Sequence, residues 1–419
     1  MIATDTFAEL AQGDRVHRRV YTDPEIFEAE MQRIFARTWL FIGHESEIPN
    51  PGDYKTDTIA RRPVIIVRGS DNVVRVLYNT CRHRGTKVCY EAYGSGTRFR
   101  CAYHGWTFNT EGKLIGVPLR EQMRDFDVAA DFGLIAVPRL ESYRGFVFAS
   151  LNPNVIPLRE HLGRGCEYLD LMCDRAPDDE IEALHPIKYN YAGNWKLQIE
   201  NYADNYHPPV LHQTALETGA KMLREKYSTT KVTMKGIRTR YTERGYGRGH
   251  GMCDFASTRG PLWMNGYENP AYLEALRRKF PEEKAQELLE LDLHMMIYPN
   301  LLLHTRMNHY RVIKPLAVDR TEIWAYPCNL KGAPADVNEI LALHTSHHCS
   351  PMGEVQVDDL QAFTWIDEGL QAEEMEWCLL KLYGAEHHAE PNGEFECHSP
   401  SEAILRYQYR EWSRLMAAG

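Results

Sequence analysis

Two short stretches decide how this chain is read: Cys81-Arg82-His83 and, after seventeen intervening residues, Cys101-Ala102-Tyr103-His104-Gly105-Trp106. Each offers one thiol and one imidazole, and Gly85, Gly94, Gly96 and Gly105 supply tight turns around them. Upstream, Pro63 to Val67 and Val73 to Tyr78 are β-branched runs separated by a Ser70-Asp71-Asn72 turn, which predicts antiparallel strands. Two loops of one small sheet then bring four ligands together. Zinc accepts two Cys and two His in a tetrahedron. A Rieske [2Fe–2S] centre takes two Cys on one iron and two His on the other. The single-residue gap of C-x-H is too tight for most zinc knuckles, and here each loop gives one Cys and one His. The iron–sulfur reading prevails, with Cys81, His83, Cys101 and His104 as ligands. Tyr103 is placed to donate to a sulfur and Trp106 to pack over a loop, or both are core aromatics. Cys89, inside the spacer, reads as an inert buried thiol.

Outward from these loops, residues 40–155 read as a compact, mostly β module. Before it lies an N-terminal helical segment, 1–39, in which Thr22-Asp23-Pro24-Glu25 marks a helix start with a cap and an early proline. After it, residues 156–419 mix helices and longer strands. Leu158 to Asp174 has helical spacing interrupted by Gly163 and Gly165. Pro281 to Met296, Asp336 to Cys349 and Glu354 to Gln371 read as helices, and Lys188 to Tyr191, Tyr310 to Ile313 and Arg320 to Tyr326 as strands. Ser399-Pro400-Ser401-Glu402 fits a capping box opening a last helix. The fold class expected is α+β, with an all-β domain inserted near the N-terminus.

Composition narrows the function. The 419 residues suggest two or three domains at ~150 each. The 48 Lys and Arg against 58 Asp and Glu give a net charge of −10, which argues against nucleic acid as a partner. No apolar run reaches the ~18 residues of a membrane helix, and no secretory signal is visible. Ten Cys without a signal point to reduced thiols in a soluble, cytoplasmic protein.

A second constellation follows Asn194-Trp195-Lys196: Asn201-Tyr202-Ala203-Asp204-Asn205-Tyr206-His207-Pro208-Pro209-Val210-Leu211-His212. Two His five apart point ~140° away from each other on an unbroken helix. Pro208-Pro209 forbids that continuation, so His212 is expected to swing back onto His207. Asp204, three residues before His207, lies on its face. With one carboxylate, two His form the facial triad of non-haem Fe(II) oxygenases. Candidates for the carboxylate are Asp204 and the downstream pair Asp358-Asp359, and spacing alone leaves the choice open.

Together these residues carry a family resemblance. The chain resembles the large (α) subunit of Rieske non-haem iron ring-hydroxylating oxygenases, most of all the benzoate, toluate and anthranilate dioxygenase group. The resemblance spans nearly the whole chain, through Ile48-Pro49-Asn50-Pro51-Gly52-Asp53, both Cys/His loops, Arg144-Gly145-Phe146-Val147-Phe148, Gly193-Asn194-Trp195-Lys196, the His207/His212 segment, Tyr298-Pro299-Asn300 and the run Arg311 to Glu322. It implies a Rieske domain over 40–155 inserted into a helix-grip catalytic domain over 156–419, with 1–39 packing on the latter. It implies that Cys81, His83, Cys101 and His104 hold the [2Fe–2S] cluster and that His207, His212 and Asp359 hold mononuclear Fe(II). Asp204 then matches the carboxylate joining a cluster-ligating His of one subunit to an iron-ligating His of the next, and Asn201 a polar residue beside the iron. The family assembles as a ring of three α subunits, often with three β subunits.

The implied activity is addition of O2 across an aromatic double bond to give a cis-dihydrodiol, on an aromatic carboxylic acid or related arene. Gly245-Tyr246-Gly247-Arg248-Gly249-His250-Gly251 lacks the flanking strand and helix of a dinucleotide site and reads as a loop. Electrons from NADH therefore arrive through a separate reductase, with or without a ferredoxin. Arg306 or Arg311 could meet a substrate carboxylate, although a structural ion pair is the expectation for Arg311. His294, His304 and His309 default to core or surface positions, and His347 and His348 to a helix surface. Two alternatives stand beside this reading: a Rieske-type monooxygenase or oxidative demethylase using the same metals, and a non-catalytic Rieske electron carrier or zinc module. The last leaves the second constellation unexplained.

Overall fold

The computed structural model describes residues 7–123, 127, 132–215, 241–255, 269–383, 386–389, 394–398 and 400–418. The chain forms two compact units, Phe35–Leu158 and, joined in space, Met1–Ile34 with Arg159–Gly419. Among the described residues no helix is long and apolar enough to cross a membrane.

Near the start of the larger unit lies helix α1 (Pro24–Glu30). Asp23 accepts a hydrogen bond from Glu25 N at 2.9 Å and Pro24 sits at the first position, as the capping signal predicts. One face of α1 buries Ile26 and Phe27, and also Glu30.

The smaller unit is all β apart from single turns. A four-stranded antiparallel sheet is ordered β4–β3–β2–β5, from β2 (Asp53–Ile59), β3 (Arg62–Arg68), β4 (Val74–Tyr78) and β5 (Tyr93–Ser95). β6 (Arg98–Arg100), β7 (Thr107–Asn109) and β8 (Leu114–Gly116) form a second sheet. A third joins β1 (Leu40–His44), β9 (Arg139–Tyr143) and β10 (Phe146–Ser150). Ile65, Val67, Leu77, Phe99, Phe108 and Leu114 form one buried cluster, where each large apolar side chain contributes roughly 1.5–3 kcal/mol. Cys81 and Cys101 lie in that same cluster.

In the larger unit, the interrupted helix expected over 158–174 is two helices, α2 (Leu158–Leu162) and α3 (Gly165–Asp174), parted at Gly163 with φ +52°. The unit is built on a ten-stranded antiparallel sheet ordered β11–β18–β17–β16–β15–β14–β13–β20–β19, with β12 also pairing β18. Its strands are β11 (Ile181–Ala183), β12 (Ile187–Ala192), β13 (Thr242–Gly245), β14 (Gly251–Asp254), β15 (Leu293–Ile297), β16 (Leu301–His304), β17 (His309–Ala317), β18 (Arg320–Leu330), β19 (Glu386–Ala389) and β20 (Phe395–His398). Further helices of this unit include α4 (Lys196–Ala203), α5 (Pro208–Leu211), α6 (Pro270–Lys279), α7 (Glu282–Glu290), α8 (Ala335–Cys349), α9 (Gln356–Gly369) and the last, α10 (Ala403–Ala417). Glu30 of α1 fastens α4 and α10. It accepts from Lys196 Nζ at 2.6 Å, Trp195 Nε1 at 2.8 Å and Trp412 Nε1 at 2.7 Å, all in the interior. A buried carboxylate needs such a saturated shell to persist.

Two local expectations are corrected. The helix predicted over 281–296 stops at Glu290, and its apolar tail is strand β15, because pairing with β14 and β16 uses the backbone of Leu293–Ile297. The glycine-rich run 245–251 is a loop, as expected, closing a β-hairpin between β13 and β14, with Gly247 and Gly249 at positive φ. The last helix starts later than the capping-box reading placed it: α10 begins at Ala403, and Ser399 lies outside the described residues. Ser401 Oγ donates to Glu243 Oε2 at 2.6 Å and accepts from Ala403 N at 3.1 Å, while Glu402 accepts from Leu382 N.

The Glu243 contact has a pH consequence. Burial pushes its carboxyl up to about 7, against the opposing Ser401 hydrogen bonds. The folded chain thus holds the proton more tightly than the unfolded one. Its contribution is fully present below the ordinary value of 4.5 and is lost as pH rises through 7, amounting to about 3 kcal/mol. Glu200, also raised to about 7 by burial, acts in the same direction. Tm should therefore fall between pH 5 and 8, and Glu243→Gln should flatten part of that fall. An unchanged pH slope in the variant would contradict this.

Candidate active site

The two Cys/His loops are variants of one turn. In the first, Cys81 N donates to Thr86 O and Gly85 N to Cys81 O, both at 2.8 Å. In the second, Cys101 N donates to Trp106 O at 2.8 Å and Gly105 N to Cys101 O at 3.0 Å. Gly85 and Gly105, each four residues after its cysteine, adopt φ of +76° and +71°. A side chain at either would be strained, which explains the glycines. Both thiols are buried and unbridged, and His83 Nδ1 lies 3.1 Å from His104 Nδ1. The indole of Trp106 stacks on His83 with centroids 5.0 Å apart and planes 6° from parallel. Tyr103 is exposed, its ring against His104. Asn79 Nδ2 donates to the Cys89 carbonyl and Asn79 Oδ1 accepts from Cys89 N, so Cys89 belongs to the loop's backbone frame. Two thiols and two Nδ1 atoms delivered pairwise are the donor set of a Rieske cluster, so these residues fit that group.

The second constellation converges by a different route from the one expected. α4 ends at Ala203, and the extended backbone of its C-cap Asp204 breaks the helix there. Pro208 then takes the first position of α5, with His207 as its N-cap and His212 as its C-cap. The prolines start a turn, as their fixed φ favours. The two imidazoles end 5.2 Å apart, centroid to centroid.

Asp359, in the first turn of α9, closes the group. Its Oδ1 lies 3.1 Å from His212 Nε2 and 3.7 Å from His207 Nε2. Ligand atoms of His207, His212 and Asp359 all fall within 4.8 Å of one another. The outer nitrogens are also held: His207 Nδ1 meets Asp204 Oδ2 at 3.1 Å, and His212 Nδ1 meets Asp358 Oδ2 at 3.2 Å. A carboxylate on Nδ1 fixes the proton there and leaves the Nε2 lone pair facing inward. Two inward lone pairs and one carboxylate oxygen are the ligand set of a non-haem ferrous site, so these residues fit that ion. Asn201 Nδ2 donates to Asp359 Oδ1 at 2.9 Å and lies 3.3 Å from His207 Nε2. The spacing gave no means to separate Asp358 from Asp359. On the helix the two adjacent carboxylates diverge, so each addresses a different nitrogen of His212.

Other residues singled out in the sequence resolve as follows. Arg306 Nη1 pairs with Asp292 Oδ2 at 3.0 Å. Arg311 makes no ion pair among the described residues, correcting the expectation of a structural one; it donates to Gln356 Oε1 at 2.7 Å and to Cys349 Sγ at 3.1 Å. Asp292, His294 and His304 also bring ligand atoms within 4.8 Å of one another. However, His304 Nδ1 accepts from Met307 N, so its proton sits on Nε2, which removes that nitrogen as a ligand. His347 is exposed beside Glu354, while His348 is half-buried against His344.

Comparison with known proteins matches both parts of the chain. Residues 38–133 match the family model described as Rieske [2Fe-2S] domain, and residues 179–418 match that of the ring hydroxylating alpha subunit (catalytic domain). The chain is 33% identical over 383 residues to the large subunit of 2-halobenzoate 1,2-dioxygenase of Burkholderia cepacia, covering 89% of this chain and 80% of the relative. It is 30% identical to the large subunit of anthranilate 1,2-dioxygenase of Acinetobacter baylyi, covering 97% and 90%. A solved structure of a naphthalene 1,2-dioxygenase mutant bound to phenanthrene superposes with a TM-score of 0.85 at 26% identity, covering 98% of this chain and 94% of the other. The chain belongs to the family of aromatic ring-hydroxylating dioxygenase α subunits, which join a Rieske [2Fe–2S] domain to a catalytic domain with mononuclear iron.

Proposed function

We propose that this α subunit adds both atoms of O2 across an aromatic double bond of an aryl carboxylic acid, giving a cis-dihydrodiol. The observation that carries the reading is the triad itself: two Nε2 atoms and Asp359 Oδ1 converge while Asp204 and Asp358 hold the outer nitrogens. The aryl acid follows from the printed names of the relatives, which include 2-halobenzoate, toluate and anthranilate dioxygenases.

In this reading residues 40–155 form the cluster domain and 156–419, with 1–39, the catalytic one. Cys81, His83, Cys101 and His104 hold the [2Fe–2S] cluster, and His207, His212 and Asp359 hold Fe(II). When bound, the cluster supplies single electrons and the ferrous ion activates dioxygen. The chain's own part is positioning. Asp204 and Asp358 fix the imidazole tautomers, and Asn201 orients the ligating carboxylate. Electrons originate from NADH on a separate reductase in the cytoplasm, with or without an intervening ferredoxin.

Asp204 serves as the bridge between subunits of a ring of three α chains. Exposed aromatic and apolar side chains beside each site support that assembly: Tyr103 at 58%, Tyr206 at 65% and Val210 at 73% exposure. Such patches mark interfaces, and head-to-tail contacts between unlike patches close into rings. Solution mass separates α3 from α3β3.

The deciding experiment is oxygen uptake coupled to NADH and a reconstituted reductase, across aryl acids, anilines and plain arenes, using isotopically labelled O2. Two labelled atoms in a dihydrodiol support the reading. One labelled atom assigns monooxygenation, and no uptake with any arene overturns it.

A further inference from the structure

One face of the large sheet carries a row of polar side chains. His294 of β15 pairs with His304 of β16, which pairs with His309 of β17. Their ring centroids are 4.1 Å and 5.3 Å apart in turn. Arg311, two residues past His309, falls on the same face because side chains alternate along a strand. That face is covered by the elements of the triad. Tyr202, next to Asn201 on α4, lies 5.1 Å from the ring of His294, and the Arg311 guanidinium sits 5.6 Å from the Tyr202 ring. Arg311 also reaches Cys349 on α8 and Gln356 on α9. Gln356 precedes Asp359 by three residues, so their Cβ atoms are about 5–6 Å apart on one helix face.

Arg311 is 8% exposed, yet every partner it has among the described residues is neutral. Gln356 offers an amide oxygen at 2.7 Å. Burial pushes the Cys349 thiol up and keeps it protonated, although the guanidinium opposes this. Burial likewise holds His309 well below its ordinary value, with Arg311 acting in the same direction. No carboxylate among the described residues lies within ion-pair distance, and the nearby Asp292 is taken by Arg306. A guanidinium cannot shed its proton in a protein, and an uncompensated buried charge costs several kcal/mol. Three neutral contacts and one aromatic face offset only part of that cost. A cation maintained in this state beside a catalytic triad is poised for an anionic ligand.

We propose that Arg311 is the anchor for the carboxylate of the substrate. Its planar fork suits a bidentate carboxylate, and with its partner Gln356 one turn before Asp359 on α9, it sets the ring's distance from the triad. The row of imidazoles beside it forms a polar wall, where a purely apolar arene would leave hydrogen-bonding groups unmatched. This inference rests on the reading of the site as an aromatic ring oxygenase.

The test uses the fully loaded enzyme and its Arg311→Gln and Arg311→Lys variants, with benzoate and toluene as probes. Calorimetry measures anaerobic binding, and labelled-oxygen uptake measures turnover. Metal analysis and thermal unfolding establish that each variant is loaded and folded. Arg311→Gln should weaken benzoate binding about 10- to 100-fold, with Arg311→Lys between it and the parent. The ratio of kcat/KM for benzoate over toluene should fall in the same order. Unchanged benzoate affinity in a loaded Arg311→Gln enzyme overturns the anchor. So does a parent enzyme that binds toluene and not benzoate, while leaving ring oxygenation standing. If the loaded parent oxidises neither these nor any other arene of the panel, ring oxygenation fails and the anchor fails with it.

Discussion

His212→Ala should purify with the reddish-brown colour of its cluster intact but without its mononuclear iron, and turnover should vanish. The geometry explains the selectivity. His212 is buried at the C-terminal end of α5 and gives Nε2 to the triad, 3.1 Å from Asp359 Oδ1. Alanine removes one of three ligands and also frees Asp358, whose Oδ2 now holds His212 Nδ1. The remaining His207 and Asp359 form a two-ligand site, which binds a divalent ion weakly. Nothing in the cluster loops changes, because their ligands sit on a separate unit with its own hydrophobic core. Iron and acid-labile sulfide assays read the two sites separately: sulfide is expected unchanged while iron falls by one per chain. Asp358→Ala is the graded control. It keeps all three ligands and removes only the outer support of His212, so iron affinity should fall about 10- to 100-fold. Undiminished non-cluster iron in His212→Ala would remove this residue from the site.

Chemistry was more legible in the sequence than geometry. The paired C-x-H and C-x-x-H loops name their own donors, because ligand types at short fixed gaps survive any local folding. The same is true of strands β3 and β4, where β-branched runs and a turn leave few alternatives. The approach of His212 to His207 was readable only as a necessity. Pro208-Pro209 was given the work of breaking the helix, whereas the break falls at Asp204 and the prolines begin the next turn. Proline excludes a continuing helix but fits a starting one equally well, so spacing could not choose. Long-range pairings were invisible for a different reason. Glu243 sits 158 residues from Ser401, and no local pattern announces that it will take that hydroxyl just before α10. Arg311 looked like any strand arginine. Its unusual state appears only once α8 and α9 close over the sheet and bring it a thiol and an amide in place of a carboxylate.

Asp204→Asn should retain both metals and lose at least about a hundredfold in turnover, a result that isolates what the carboxylate does beyond holding a ring. In the structure Asp204 Oδ2 lies 3.1 Å from His207 Nδ1, and its Oδ1 accepts from Tyr206 N at 2.6 Å. The side chain keeps 27% of its surface, so it is accessible to a second histidine from outside the chain. A carboxylate is acceptor-only, with lone pairs on both oxygens, and can accept from two imidazole N–H groups at once. An amide offers one acceptor and one donor. It can still satisfy His207 through its oxygen, which is why iron is retained, but its NH2 group then faces the incoming imidazole donor to donor. The bridge fails on one side while the triad survives on the other. Two measurements make the distinction. Metal analysis should match the parent, and after reduction of the cluster its reoxidation in the presence of substrate and O2 should slow in step with turnover. A variant that lost iron would show a ligand-supporting role alone, and one that turned over normally with reductase present would show that no electron path depends on this carboxylate.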